Sequence, residues 1–203
     1  MLSNKFKVNY SVGAVANGVK TDTFTFFLLF FYSNIIGLNP GLAGLAIFIA
    51  LCIDAITDPL MGTISDRTNS SFGRRHPYMF ISFIPMSLGY ILLFAPRQEW
   101  DMSQSDLFVW MTIFTVITRI GMTLFDIPHR AFGGEVTKDY KERTILMSWR
   151  EMFAWVAGLS NAFLGYGVFF ASTPEFPQGQ LNPDVWFPFA LTGAAIMVFS
   201  VLY

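Results

Sequence analysis

The chain has 203 residues, of which 53% are hydrophobic, 17% are aromatic and only 13% are charged. The charged fraction is about half that of ordinary globular domains, which argues against a soluble protein. A formal net charge of −1 supplies no basic surface, so we expect no nucleic-acid partner. The single cysteine, Cys52, cannot form an intramolecular disulfide.

Six apolar stretches follow one another along the chain. Each is long enough to cross the hydrocarbon core, which takes about 20 helical residues at about 1.5 Å per residue. Gly, Pro, Asn and charged residues separate the stretches, and backbone groups in lipid must be hydrogen-bonded within their own segment, so helices are favoured over barrel strands. We therefore predict an all-α membrane protein surrounded by a lipid bilayer. The predicted helices are residues 10–36, 41–64, 78–96, 106–130, 145–172 and 184–203.

The basic residues predict an orientation. Most Lys and Arg residues outside the spans fall on one side of the predicted bundle, and Arg97 alone falls on the other. By the positive-inside rule the side rich in Lys and Arg, which includes the N-terminus, is cytoplasmic. That side carries Lys5, Lys7, Arg67, Arg74, Arg75, Arg130, Lys138, Lys141 and Arg143, whereas Lys20, Arg119 and Arg150 fall inside the spans.

Two aspartates occur within the second span. Asp54 and Asp58 are four residues apart, which places them on one helix face, and Thr57 adds a hydroxyl beside them. An ionised Asp near the bilayer centre costs about 2.5 to 3.5 kcal/mol, so the pair requires protons, a cation or a basic partner. The spacing indicates a sodium or proton site, because hard cations favour oxygen ligands and close like charges favour protonation. A structural ion pair with Lys20, Arg119 or Arg150 is the alternative interpretation.

A third acid, Asp126, lies near the end of the fourth span. Thr123 precedes it by three residues and shares its helix face, so this helix can offer a carboxylate and a hydroxyl to the second helix. The alternative is an acid hydrated from the cytoplasm beside Pro128. The predicted cation site consists of Asp54, Thr57, Asp58, Thr123 and Asp126, and its three aspartates can serve either Na⁺ or a proton.

Two segments carry a resemblance to a known family. The stretches DAITDPLMGTISDRTNSSFGRRHPYMF and FDIPHRAFGGEVTKDYKERT, with the layout of the spans, resemble the glycoside-pentoside-hexuronide:cation symporters of the major facilitator superfamily. The resemblance implies secondary active transport of a sugar, glycoside or uronate together with Na⁺, Li⁺ or H⁺, by alternating access, with no other cofactor. It also implies a bacterial inner membrane location. Lysolipid symporters of animal cells are related to this family.

The resemblance transfers the substrate residues unevenly. Gly18 stands where the family has a sugar-binding acid, and Arg130 stands where it has a stacking aromatic. Arg150 matches a basic residue near the sugar and suits an anionic group such as a uronate, although a structural pair with Glu151 is the alternative. Lys20 and Asp22 lie near the first position but point to different faces. The candidate substrate residues are Gly18, Lys20, Asp22, Asp126, Arg130 and Arg150.

A charged loop follows the second span and resembles the gate loop of the superfamily. Its side chains can make charge-assisted contacts to helix ends and hold one side of the bundle closed. Arginines there also fix orientation, which is the alternative reading. The predicted gate residues are Asp66, Arg67, Arg74 and Arg75.

The sequence has no nucleotide-binding, hydrolase or zinc-protease motif, which predicts a transporter rather than an enzyme. His76 and His129 are too far apart to suggest a metal site. Because superfamily members have two six-helix halves and this chain stops within its sixth apolar run, we expect the N-terminal half of a transporter, completed by a C-terminal half. A lysolipid:sodium symporter, a dimer of halves, a membrane enzyme and a non-transporting scaffold are the alternatives.

Overall fold

A computed structural model gives the fold and describes residues 2–203. The described residues form helices and turns, without strands. Helical segments follow the order predicted from the sequence, and their ends extend a few residues beyond most of the predicted bounds. We label them α1 (residues 4–36), α2 (Pro40–Arg67), α3 (His76–Leu93), α4 (Gln104–Glu135), α5 (Tyr140–Phe169) and α6 (Pro183–Leu202).

Five of the segments, α2 to α6, are long and apolar enough to cross a membrane. They confirm the prediction of an all-helical integral membrane protein. Segment α1 differs because it carries Lys20 and Asp22, which lower its hydropathy. It is also interrupted by wide π-helical turns at Thr23–Phe27 and Phe31–Ile36. Length and composition therefore establish five spans, and α1 is a sixth helical segment of mixed character.

The segments begin and end at residues suited to those positions. Gly37 adopts a left-handed conformation with φ of 86°, which ends α1 without a steric penalty. Asn39 caps the start of α2 by accepting a hydrogen bond from the Gly41 amide, and Pro40 fits the first turn. Gln104, at the start of α4, accepts a bond from the Asn39 amide at 2.8 Å. This bond connects the start of α2 to the start of α4 at one end of the bundle.

Segment α4 lies between α2 and α3, while α1 packs on α5 and α6 and α3 also packs on α6. Small residues allow the closest approaches. Gly18 of α1 lies against the backbone of Ala154 in α5, and Gly121 of α4 lies against the backbone of Met86 in α3. In neither place is there room for a Cβ atom, as is typical of helix interfaces in membranes.

The packing at Gly121 gives a testable expectation. Replacing Gly121 with Ala forces the backbones of α3 and α4 apart and should cost about 1 to 3 kcal/mol, the usual range for overpacking. Gly44 of α2 is the matched control, because nothing lies within 4 Å of a Cβ atom added there. The thermal unfolding midpoint in detergent should fall for Gly121→Ala and not for Gly44→Ala. Equal midpoints would contradict the close packing of α3 on α4.

Candidate functional site

Charged side chains from four segments meet inside the bundle. Segment α4 supplies Arg119, Thr123, Asp126 and Arg130, whose spacings of four, three and four residues place them along one helix face. Segment α2 faces this stripe with Asp54 and Asp58, one turn apart. We call this set the intramembrane charge network, and its members are Lys20, Asp54, Asp58, Arg119, Thr123, Asp126, Arg130, Arg150 and Glu151.

Asp54 forms an ion pair with Arg119. The two side chains are only 20% and 13% exposed, respectively. One oxygen of Asp54 accepts from the guanidinium, while its other oxygen and the Nε of Arg119 are buried without a hydrogen-bond partner. The structural ion pair that the sequence left as an alternative is therefore present at Asp54.

Asp58 has a different environment. Its carboxylate accepts a hydrogen bond of 2.7 Å from the Thr123 hydroxyl. Within residues 2–203, no Lys, Arg or His nitrogen lies within 4.0 Å of it. Thr57, predicted to assist, directs its hydroxyl at the backbone carbonyl of Asp54 at 3.5 Å instead. Thr123, and not Thr57, is thus the hydroxyl that bonds Asp58, whose carboxylate has no basic partner in the described part of the chain.

Asp126 accepts from two arginines. Arg130 donates from Nε at 2.6 Å, and Arg150 of α5 donates from its terminal nitrogen. Arg150 is fully buried and also donates to Glu151 at 2.6 Å. Arg130 and Glu151, in contrast, are about half exposed, at 49% and 48%. A buried arginine with two carboxylate partners thus joins α4 to α5, and the charged groups around it continue to the bundle surface.

His129 borders the charge network through Arg150, although no role for it was predicted. Its Nε2 lies 3.0 Å from the carbonyl oxygen of Tyr10 in α1. A carbonyl only accepts, so Nε2 carries the proton and Nδ1 is free to accept from the Arg150 Nε at 3.4 Å. The Tyr10 ring stacks on the imidazole at 4.3 Å. The spacing of three residues from Asp126 was the available signal, because it places His129 on the same helix face.

A small cavity of about 80 Å³ lies where α1, α2 and α4 meet. Lys20 and Arg119 both lie over the Phe24 ring, at 5.8 Å and 5.5 Å from its centroid. No three His, Cys, Asp or Glu side chains in the described part of the chain are close enough together to hold a metal ion. The cavity is lined by Asn17, Lys20, Asp54, Asp58, Arg119, Met122, Thr123, Asp126 and Ile127.

A larger groove of about 330 Å³ runs between α1 and α5. Gly18 and Asp22 line it from α1, and Glu151 and Trp155 line it from α5. Asp22 is buried and accepts a hydrogen bond of 2.8 Å from Asn161. Gly18 and Asp22 thus share one groove, whereas Lys20 and Asp126 line the small cavity. Four of the six candidate substrate residues are thus divided between two spaces, and Arg130 and Arg150 line neither. Lys20 and Asp22 lie on different faces of α1, as their spacing indicates.

The predicted gate residues make contacts at one end of the bundle. Arg75 is buried and bridges Asp66 at 2.7 Å and Glu135 at 2.8 Å, and Arg74 also pairs with Glu135. These bonds connect the loop after α2 to the end of α4. Arg67 is exposed, and no carboxylate in residues 2–203 lies within 4.0 Å of it. Glu135 is the partner that the sequence did not identify.

Apolar membrane-spanning helices with buried acids and arginines on their facing surfaces define a class of protein. Ionisable groups inside a membrane mark the paths of ions and solutes, so this class is the polytopic transporters. The family described as "MFS/sugar transport protein" matches residues 9–203. The chain belongs to this family of transporters. The expectation of a major facilitator transport protein rather than an enzyme is confirmed.

Curated relatives include symporters and carriers. The chain is 30% identical over 81% of its length to the inner membrane symporter YicJ of Escherichia coli strain K12. It is 25% identical over 80% of its length to the glucuronide carrier protein homolog of the same strain. It is 29% identical over 83% of its length to sodium-dependent lysophosphatidylcholine symporter 1-A of Danio rerio. The matches span 35%, 35% and 31% of these three relatives, so the chain spans about a third of their length.

The network predicts the effect of losing Asp126. Asp126→Asn leaves the buried Arg150 with a half-exposed Glu151 as its remaining carboxylate, and breaking a buried pair typically costs about 3 to 5 kcal/mol. Asp101→Asn is the control, since Asp101 is exposed and Asn also tolerates its positive φ of 43°. The thermal unfolding midpoint in detergent should be far lower for Asp126→Asn than for Asp101→Asn. A midpoint for Asp126→Asn equal to that of the control would show that Arg150 does not depend on Asp126.

Proposed function

We propose that the chain is the N-terminal part of a secondary transporter that moves a polar solute together with a cation by alternating access. The observation that carries this proposal is the environment of the Asp58 carboxylate. This acid faces the small cavity within a membrane-spanning helix, and among residues 2–203 it has a hydroxyl but no basic group as its partner. A carboxylate in that position is costly unless a proton or a metal cation neutralises it. The names of the symporter relatives support coupling to a cation.

The solute in this proposal is a sugar, a glycoside or a uronate. Acids and an arginine at the edge of the α1/α5 groove suit a ligand with hydroxyl and carboxylate groups, because carboxylates accept from hydroxyls and guanidinium groups grip carboxylates by paired hydrogen bonds. Arg130 is half exposed beside Glu151, which itself lines the groove. The relative named glucuronide carrier protein homolog supports the same ligand chemistry.

Coupling follows from the shared network. Asp126 borders the cavity that Asp58 faces, and it also holds Arg150 beside the groove residue Glu151. A cation that binds at Asp58 therefore changes the electrostatic field at the solute site. By linkage, the solute changes the affinity for the cation by the same factor. The two ligands then favour each other's binding.

Alternating access requires a second bundle opposite this one. In the proposed arrangement the N-terminus and the Arg75 contacts lie in the cytoplasm, and the protein resides in a bacterial inner membrane. The excess of Lys and Arg at that end supports this orientation. The Asp66–Arg75–Glu135 contacts hold the cytoplasmic ends of α2, α3 and α4 together and release when the bundle opens inward.

Replacing Asp58 tests the proposal in the intact transporter. Typical coupling free energies are about 1 to 3 kcal/mol, so the cation should raise solute affinity by about 5- to 150-fold in the wild type. In Asp58→Asn the solute affinity should be the same with and without the cation, because the neutral amide needs no counter-charge. Solute binding measured in sodium chloride, in choline chloride and at acidic pH gives the comparison. Retained cation stimulation in Asp58→Asn would overturn the assignment.

A lysolipid is the second candidate solute. An apolar groove of about 440 Å³ lies between α1, α5 and α6, and it is lined by residues such as Val19, Val156 and Ile196 that suit an acyl chain. The sodium-dependent lysophosphatidylcholine symporter among the relatives supports this candidate. A thermal-shift screen of the intact protein with sugars, uronates and lysolipids, with and without sodium, separates the two candidates. Stabilisation by lysolipids alone would favour the second.

A further inference from the structure

Arg119 is the one arginine of the charge network that lines the small cavity. It lies within a membrane-spanning helix, is 13% exposed, and its guanidinium pairs with Asp54 of α2. The Phe24 ring of α1 lies 5.5 Å from the guanidinium carbon. A cation over an aromatic face gains about 2 kcal/mol when desolvated, so this ring helps to hold Arg119 in place.

The three aspartates of the predicted cation site are not equivalent. Asp54 forms an ion pair with Arg119, and Asp126 forms ion pairs with Arg130 and Arg150. Asp58, in contrast, accepts a hydrogen bond from the neutral Thr123 hydroxyl. A buried carboxylate requires one compensating positive charge, and two of these three acids receive it from the protein itself.

We propose that Arg119 is a tethered counter-ion for Asp54, so that Asp54 does not bind the coupling cation and the exchangeable cation is held at Asp58 and Thr123. This inference rests on the proposed function and deepens it by assigning the acids different roles. Asp54 and Arg119 become positioning residues that join α2 to α4. The site then accepts one exchangeable positive charge in each transport cycle.

Electrostatics oppose a second cation at Asp54. One carboxylate oxygen already accepts from the guanidinium, and a metal ion at the other oxygen would lie close to a fixed positive charge. Lys20 adds a further positive group, because it lines the same cavity and also lies over the Phe24 ring, 5.8 Å from its centroid. The charged groups that face Asp58 are Lys20 from α1, Asp54 from its own helix, and Arg119 and Asp126 from α4.

A charge-neutral double substitution tests the counter-ion role. Asp54→Asn leaves Arg119 uncompensated, and Arg119→Gln leaves Asp54 uncompensated, so each should lower the thermal midpoint of the intact transporter in detergent. The double variant Asp54→Asn with Arg119→Gln removes both charges and should recover most of the loss, because paired residues deviate strongly from additivity. Arg119→Lys keeps the charge and should resemble the wild type. A double variant no more stable than the worse single variant would overturn the counter-ion role.

Cation binding gives the second readout. The midpoint shift is measured in sodium chloride, in choline chloride, and in choline chloride at acidic pH. In the double variant the cation concentration for half of the shift should stay within about threefold of the wild type, as expected when the removed pair is independent of the cation. Asp58→Asn should lose the shift. A double variant that is stable but insensitive to cations would show that Asp54 is a coupling ligand and overturn the inference.

The two readouts also distinguish this inference from the proposed function. A wild type whose midpoint does not respond to sodium or protons would contradict cation coupling. Rescue of stability by the double variant would still establish Arg119 as the counter-ion of Asp54. The rescue and the cation-dependent midpoint shift of the double variant therefore test the counter-ion role of Arg119. The cation-dependent midpoint shift of the wild type tests the proposed function.

Discussion

The cost of placing charge inside a membrane governs this structure. An apolar bundle that carries aspartates on α2 and α4 is stable only if each carboxylate finds a positive partner, a proton or a cation. For Asp54 and Asp126 the chain meets this requirement with arginines, and each pair between helices fixes the rotation of one helix against another, whereas Asp58 is left for the proposed cation. Asp54 with Arg119 joins α2 to α4, and Asp126 with Arg150 joins α4 to α5. The helix arrangement and the candidate site therefore have one physical origin.

The network also connects the ends of the proposed coupling path. His129 accepts from Arg150 and donates to the Tyr10 carbonyl, which brings α1 into the same set of hydrogen bonds. Since Arg150 has no exposed surface, a change in its partners must be transmitted to Asp126, Glu151 or His129. A cation near Asp58 and a solute near Glu151 can thus influence each other through side chains that are in direct contact. The first π turn of α1, Thr23–Phe27, places Phe24 against Lys20 and Arg119 of this network, and such turns are frequent at functional sites.

Five of the six predicted spans are confirmed as helices long and apolar enough to cross a membrane, whereas the pairing of the candidate acids could not be predicted from the sequence. Spans α2 to α6 follow from hydropathy, because apolar length is what the bilayer requires. The π turns of α1 leave no periodic signal in the sequence. Spacing predicted that Asp54 shares a helix face with Asp58, and Thr123 with Asp126, because residues three or four apart lie on the same face of a helix. It could not fix how α4 is rotated towards α2, which decides that Asp54 meets Arg119 while Asp58 meets Thr123. Spacing also did not show that the Thr57 hydroxyl bonds the backbone carbonyl of Asp54, or that Glu135 pairs with Arg74 and Arg75.

The central claim is that binding of a cation drives movement of a solute. The most direct measurement uses the intact transporter in sealed vesicles, with a sodium or proton gradient as the sole energy source and a radiolabelled solute selected by its stabilising effect on the protein. If a cation gradient drives transport, the solute accumulates above its external concentration, and accumulation ends when the gradient is dissipated. Uptake that only equilibrates the solute, at the same rate with and without the gradient, would contradict the account.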